Sequence, residues 1–379
     1  MMNMSKENLF CDVAFEPING LLPYQPGKPI DELQRELGLK NIIKLASNEN
    51  PLGPSEKVKK AVHDALGEMS LYPDGNGFYL KKALSEKLGL PSSMITLGNG
   101  SNDVLDVIAR VFLTTGRECV YSEYSFVVYA IATQSVGATA KVAKSFPVGS
   151  AGEYGHDLAA MEQLVGEKTS VIFIANPNNP TGTWIEPDEL EGFIKKIPSH
   201  VIVVVDEAYG EYLDQKNFVD TTKWLAKYPN LIITRTFSKA YGLAGLRVGY
   251  AVSHPDIANL LNRVRHPFNV NSLGLVAAEA ALNDEAYIEK SRELNQQGLD
   301  QLSLGFKKLG LNYIPSIGNF ITVNVGEKAG DIYTKLLHEG VIVRPISAYK
   351  MPQYLRVSVG LQSENNIFLD ALKKVMHDV

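Results

Sequence analysis

The strongest constraint on the fold comes from short runs that are apolar at every position, such as Val171-Ile172-Phe173-Ile174 and Val201-Ile202-Val203-Val204-Val205. Successive side chains of a strand point to opposite faces, so a run without polar alternation needs cover on both sides. Along the middle of the chain such runs alternate with amphipathic stretches. That is the pattern of an α/β fold, a mainly parallel sheet flanked by helices. The expected strands are 94–97, 118–121, 138–143, 171–175, 201–206, 231–236 and 248–252. Between the first two, 101–113 reads as a helix, because Val104, Val107, Ile108, Val111 and Phe112 recur at helical spacing. Their role is core packing. Stretches 190–196, 255–265 and 288–309 also read as helical.

The last third changes character. Strands at 320–325, 341–344 and 355–359, with helices at 329–339 and 364–376, suggest a smaller α+β unit. A chain of 379 residues is well above the one-domain mode of about 100–150. We expect an N-terminal arm over 1–43, with Pro23, Pro26 and Pro29; a large domain over 44–284; and a small C-terminal domain over 285–379. The helical stretch near 285–310 is the expected hinge. No internal repeat or low-complexity segment is present.

Composition narrows the function classes. With 45% apolar residues, 21% charged residues and a net charge of −5, the chain is neither disordered, collagen-like nor a disulfide scaffold. It also lacks the basic excess of a nucleic-acid binder. Cys11 and Cys119 are too few and too far apart for a metal knuckle, and no histidines fall at ligand spacing, so no metal site is expected. The N-terminus lacks an apolar signal core, and the longest aliphatic run, 201–205, is far short of the ~20 residues of a membrane span. A cytoplasmic protein without a membrane segment is expected.

Four motifs follow expected strands. Thr236-Phe237-Ser238-Lys239-Ala240-Tyr241-Gly242-Leu243-Ala244-Gly245-Leu246-Arg247 places a lysine at a strand end. In a partly apolar cleft its pKa falls, and its amine becomes able to form a Schiff base with an aldehyde. Thr236, Ser238 and Arg247 would surround it with hydroxyls and a fixed cation, a seat for phosphate. A surface lysine beside a glycine turn is the plain alternative for the dipeptide, though not for the whole string. Asp206-Glu207-Ala208-Tyr209 puts a carboxylate at the end of a buried strand, where open α/β sheets bind ligands. Asp206 there could hold a pyridine nitrogen protonated or simply cap a helix, and position alone does not decide. Asn176-Pro177-Asn178-Asn179-Pro180-Thr181-Gly182 forms a rigid turn that is either a connector or presents the Asn179 amide to a ligand. A cis bond before Pro180 is left open. Gly98-Asn99-Gly100-Ser101-Asn102 leads into the helix at 101–113, whose N-terminus is a second phosphate seat, though any strand–helix turn can carry two glycines.

Taken in order, these strings resemble the class II-type aminotransferases of the fold-type I pyridoxal-phosphate superfamily, over nearly the whole chain. Leu45-Ala46-Ser47-Asn48-Glu49-Asn50-Pro51-Leu52-Gly53-Pro54 and Tyr72-Pro73-Asp74-Gly75 narrow the resemblance to the branch that acts on histidinol phosphate in histidine biosynthesis. The resemblance implies pyridoxal 5′-phosphate as cofactor and a homodimer as the active unit. It makes Lys239 the Schiff-base lysine, pairs Asp206 with the pyridine nitrogen, and sets Asn179 and Tyr209 against the ring 3′-oxygen. Ser101, Asn102, Thr236, Ser238 and Arg247 would hold the phosphate, Tyr124 would stack on the ring, and Tyr72 would reach the phosphate in the neighbouring subunit. Arg356 and Arg344 would grip the acidic end of the substrate, Asn48 and Asn179 would contact it, and Tyr24 would close over it. The implied reaction interconverts L-histidinol phosphate plus 2-oxoglutarate with imidazole-acetol phosphate plus L-glutamate.

Rivals remain at this level. An aromatic amino-acid aminotransferase and a threonine-phosphate decarboxylase share the same lysine, aspartate and arginine set. A non-catalytic pyridoxal-phosphate regulator would carry a DNA-binding helix-turn-helix domain, for which the expected sheet leaves no room. A pure binding protein would not need Lys239 beside a phosphate seat.

Overall fold

The computed structural model describes residues 10–23, 27–213 and 219–377. Its strands are β1 (Ile43–Lys44), β2 (Ile95–Gly98), β3 (Glu118–Ser122), β4 (Thr139–Ala143), β5 (Thr169–Ala175), β6 (Ile202–Asp206), β7 (Leu231–Thr236), β8 (Gly249–Ser253), β9 (Tyr313–Ile314), β10 (Phe320–Asn324), β11 (Val341–Ile342), β12 (Arg344–Pro345) and β13 (Tyr354–Ser358). β2 to β8 form one sheet in the order β2-β8-β7-β6-β5-β3-β4. β3 to β7 run parallel, and β8 is antiparallel to both of its neighbours.

The unalternated apolar runs sit where their pattern requires. Every residue of β5 and β7 is buried. Val203 and Val205 join Leu190, Phe193 and Ile194 of helix Pro187–Lys196 on one face of the sheet. Val204 and Phe173 join Val104, Leu105 and Ile108 of helix Ser101–Phe112 on the other. Burying one such Val, Leu, Ile or Phe side chain contributes about 1.5–3 kcal/mol, so the paired faces anchor the sheet. Helix Ser272–Leu282 was not anticipated from the sequence. Its run Leu273-Gly274-Leu275-Val276-Ala277-Ala278 has no polar face and therefore no period to read.

The C-terminal third carries a second sheet, β12-β13-β10-β9, which is antiparallel throughout. The expected strand at 341–344 is split. Val341–Ile342 pairs in parallel with Ile43–Lys44, whereas Arg344 lies opposite Arg356 in the other sheet. The chain changes partners at Val343. Helix Glu285–Lys308 spans two cores: Ile288 packs on the central one, while Leu299, Leu302 and Phe306 lie inside that of the C-terminal sheet. Near the N-terminus, Leu33 on helix Ile30–Leu37 is buried with Ala46 and Ile342, so this stretch of the N-terminal region carries core. Among the described residues no helix is long and apolar enough to cross a membrane.

Candidate active site

Topology alone gathers most of the motif residues. β5, β6 and β7 are adjacent and parallel, with Ala175 opposite Asp206 and Asp206 opposite Thr234. The segments that follow them therefore emerge at one edge and bring Asn179, Asp206 and Lys239 together. β2 is antiparallel to β8 and β8 to β7, so β2 points the same way as β7 and delivers Ser101 and Asn102 to that edge. Arg247 lies just before β8, which starts there. One cavity is lined by Ser47, Asn48, Ser101, Asn102, Phe126, Asn179, Asp206, Ala208, Tyr209, Thr236, Ser238, Lys239, Arg247, Arg344 and Arg356. A larger cavity, of about 760 Å³, lies beside Glu207 and Arg235 and contains none of these residues. Glu207 directs its carboxylate to Arg235 at 2.8 Å, so the two adjacent carboxylates of the Asp206-Glu207 pair serve different ends.

Lys239 Nζ donates to the Ser47 carbonyl at 3.1 Å. Burial pushes its pKa down to about 7, helped by Arg356, Arg247 and Lys44 against an opposing pull from Glu49. The amine is thus largely neutral above that pH, as a nucleophile or proton acceptor requires. Asp206 is 4% exposed. Its Oδ2 accepts from Tyr129 Oη at 2.9 Å and its Oδ1 from Thr234 Oγ1 at 3.0 Å. Burial raises its pKa to about 6, and these two donors hold it back from rising further.

The residues expected to seat a phosphate come from three elements. Arg247 Nη1 donates to Ser238 Oγ at 3.2 Å, and Ser238 N donates to Thr236 Oγ1 at 3.1 Å. Gly100 precedes helix Ser101–Phe112 with φ +85°, and a Cβ there would strike the Arg247 guanidinium. A Cβ at Gly249 would strike Ser101 N. Both glycines are needed for the close approach of helix N-terminus, arginine and strand.

At the far side, Arg356 Nη1 donates to Asn179 Oδ1 at 2.6 Å and Nη2 to the Ala46 carbonyl at 2.7 Å. Arg344 stands opposite it in the β12–β13 register. Asn48 Nδ2 donates to Tyr209 Oη at 2.9 Å. Both Asn176–Pro177 and Asn179–Pro180 are cis.

Two expected residues stand apart. Tyr124 does not line the cavity: its ring packs edge-on against Tyr154, at 5.3 Å between centroids. Phe126, two residues on, lines the wall instead and meets Tyr129 edge-on. Tyr72 is 84% exposed and stacks on Phe268, away from the cavity of its own chain. Tyr24 lies outside the described residues. Tyr129, Thr234, Phe126 and the Ser47 carbonyl were missed. Thr234 could have been found as the position opposite Asp206 in the next strand. Tyr129, 77 positions from the carboxylate it serves, leaves no local signal.

The donor set fits pyridoxal phosphate. An amine for the aldehyde, an ionisable carboxylate for the ring nitrogen, and hydroxyls, helix N–H groups and a guanidinium for the phosphate all line one cavity. The chain is 52% identical over 372 residues to histidinol-phosphate aminotransferase 1 of Nitrosococcus oceani, covering 98% of this chain and 99% of that one. It is 56% identical over 364 residues to histidinol-phosphate aminotransferase 2 of Methylococcus capsulatus, covering 96% and 98%. In structure it resembles histidinol-phosphate aminotransferase from Sinorhizobium meliloti in complex with pyridoxal-5′-phosphate, with a TM-score of 0.87, 28% identity and coverage of 96% and 97%. Residues 40–372 match the family described as aminotransferase class I and II, and the chain belongs to that family.

Proposed function

We propose that this chain is a pyridoxal-phosphate-dependent histidinol-phosphate aminotransferase, exchanging an amino group between L-histidinol phosphate and 2-oxoglutarate. The observation that carries the reading is the convergence of Lys239, Asp206 and three arginines, Arg247, Arg344 and Arg356, on one cavity. The near full-length relatives support the choice of substrate.

When bound, pyridoxal phosphate supplies an electron sink that stabilises the carbanion left by loss of the substrate's Cα proton. Lys239 Nζ takes that proton as general base, since its lowered pKa leaves it neutral near pH 7. In the cofactor-free chain the Ser47 carbonyl accepts from this amine and aims it along the cavity wall. Asp206, ionised above about pH 6, would hold a proton on the ring nitrogen of the bound cofactor. Ser101, Asn102, Thr236, Ser238 and Arg247 would hold the cofactor phosphate, and Asn179 and Tyr209 would serve the ring 3′-oxygen. Phe126 replaces Tyr124 as the aromatic wall.

Histidinol phosphate has no α-carboxylate, so Arg356 and Arg344 meet its phosphate. The same pair meets a carboxylate when glutamate binds, and a planar guanidinium accepts either anion. The N-terminal segment (1–43), the large unit (44–284) and the small unit (285–379) divide these tasks, the second holding the cofactor and the third the substrate cations. The active unit is a homodimer: Leu71, Tyr72, Phe78, Tyr79 and Phe268 form an exposed apolar face suited to a second copy, which would carry Tyr72 toward the partner's cofactor phosphate.

The test is a half-reaction followed by absorbance. Protein loaded with pyridoxal phosphate is mixed separately with L-histidinol phosphate, phenylalanine, tyrosine or O-phosphothreonine, with carbon dioxide assayed in parallel. Fast loss of the aldehyde form's visible absorbance with histidinol phosphate alone is expected. Preference for an aromatic amino acid, or carbon dioxide from O-phosphothreonine, would overturn the assignment.

A further inference from the structure

Tyr209 and Lys239 belong to the large sheet's edge, yet the groups that orient them come from a short ribbon crossing to the C-terminal sheet. Leu45 O accepts from Ser358 N at 2.8 Å, Ala46 O accepts from Arg356, and Ser47 O accepts from Lys239. At Asn48 the ribbon takes a left-handed turn, with φ +53°. There its backbone N–H donates to Ser358 Oγ at 2.8 Å, and its carbonyl accepts from Asn319 Nδ2 at 2.9 Å. Ser358 Oγ in turn donates to Asn48 Oδ1 at 2.9 Å. All three residues are buried.

These bonds have a direction. A hydroxyl has one proton. With the Asn48 N–H on one side of Ser358 Oγ, that proton goes to Asn48 Oδ1. The side-chain amide is then fixed with its NH₂ outward, and Nδ2 donates to Tyr209 Oη at 2.9 Å. Because Tyr209 Oη accepts this bond, its own proton is left to point elsewhere, and Tyr209 lines the cavity.

We propose that Ser358 is a positioning residue: by locking the Asn48 amide it makes the Tyr209 hydroxyl a hydrogen-bond donor into the cavity. The inference rests on the functional reading above, in which that donor meets the ring 3′-oxygen of pyridoxal phosphate. Ser358 lies on β13 two residues after Arg356, on the same face of the strand. The strand that grips the substrate's anion thereby also sets the polarity of a bond to the cofactor, and the two lobes are coupled through Asn48. The titratable and charged groups around Tyr209 are Asp206, Arg356, Tyr349, Lys239, Tyr129 and Tyr212, and substituting Ser358 removes none of them.

A donor to an ionised oxygen favours the ionised form. Ser358→Ala frees the amide to rotate and weakens that donor. In the loaded protein without substrate, the pH of the bound cofactor's colour change should rise by roughly 0.5–1 unit, part of the shift that losing one hydrogen bond to a charged group brings. The dissociation constant for pyridoxal phosphate, read by fluorescence of the cofactor-free protein, should rise several-fold. Ser358→Thr, which keeps the hydroxyl, should restore both, and Ser358→Cys, a weaker donor of similar size, should fall between. In a Tyr209→Phe background Ser358→Ala should add nothing to the pH shift.

An unchanged colour transition in Ser358→Ala, an equal shift in the Tyr209→Phe background, or a fall in melting temperature alone would overturn the inference. Wild-type protein that takes up no colour, or Lys239→Ala that gives the wild-type colour transition, would overturn the functional reading itself and the inference with it.

Discussion

Lys239 carries two separable consequences of one environment. Its amine is neutral when folded above about pH 7, whereas an unperturbed lysine stays charged to 10.5. Turnover should therefore fall as pH drops through 7, and Lys239→Ala should lower it by at least about 10²–10⁴-fold, the usual range for losing a general base. Stability moves on the same group. Between pH 7 and 10.5 the unfolded chain holds a proton that the folded chain does not, so the contribution of Lys239 to stability rises with pH across that window. Lys239→Met should raise the melting temperature of the cofactor-free protein near pH 7 and do so less near pH 10; equal gains at both would refute the burial argument. Asp206 works in the opposite sense. Its pKa is raised to about 6, and removing one donor with Tyr129→Phe should raise it further, as carboxyl NMR of the cofactor-free protein can check. The sequence made Lys239 and Asp206 legible because each ends an apolar strand. It left Tyr129 hidden, because a donor on a helix is matched to its acceptor only by packing: its ring is stacked on Phe173 at 4.8 Å.

Strands and their ends decide how the site is assembled. The order of β5, β6 and β7 places three motif residues along one edge, and β2 and β8 bring the proposed phosphate seat to that same edge. The weak point of that seat is the contact of Gly249 with Ser101, where no side chain fits. Gly249→Ala should push β8 away from the helix N-terminus, cost about 1–3 kcal/mol in stability by overpacking, and weaken pyridoxal phosphate binding. Denaturant unfolding and cofactor titration would show both, and unchanged cofactor affinity would exclude the site from this contact. Elements with a clear period or an unbroken apolar run were readable before folding. Helix Ser272–Leu282, apolar nearly all round, and the split at Val343, where adjacent residues join different sheets, were not.

For the molecule as a whole, the proposed homodimer makes a prediction about Tyr72, which is 84% exposed. Light scattering should give twice the chain mass. Tyr72→Ala should weaken pyridoxal phosphate binding even though Tyr72 stands away from its own chain's cavity. At limiting pyridoxal phosphate, mixed dimers of Tyr72→Ala and Lys239→Ala subunits should be more active than either parent, because one of their two sites pairs an intact Lys239 with an intact Tyr72 from across the interface. Mixtures no more active than their parents would place Tyr72 outside the site.

The order of strands along the chain, the apolar character of each and the residues at their ends are local properties, readable from neighbouring residues alone. They were enough to indicate an α/β fold and to nominate Lys239, Asp206, Asn179 and Arg247, whereas Arg344 and Arg356 were named only by the family resemblance. Tertiary structure alone decided which aromatic lines the cavity, Phe126 rather than Tyr124, and which side chains orient the nominated ones. Tyr129, Thr234, Asn48 and Ser358 reach their partners through hydrogen bonds across tens to hundreds of residues. Such bonds depend on distance and direction in three dimensions, which no local pattern of residues records.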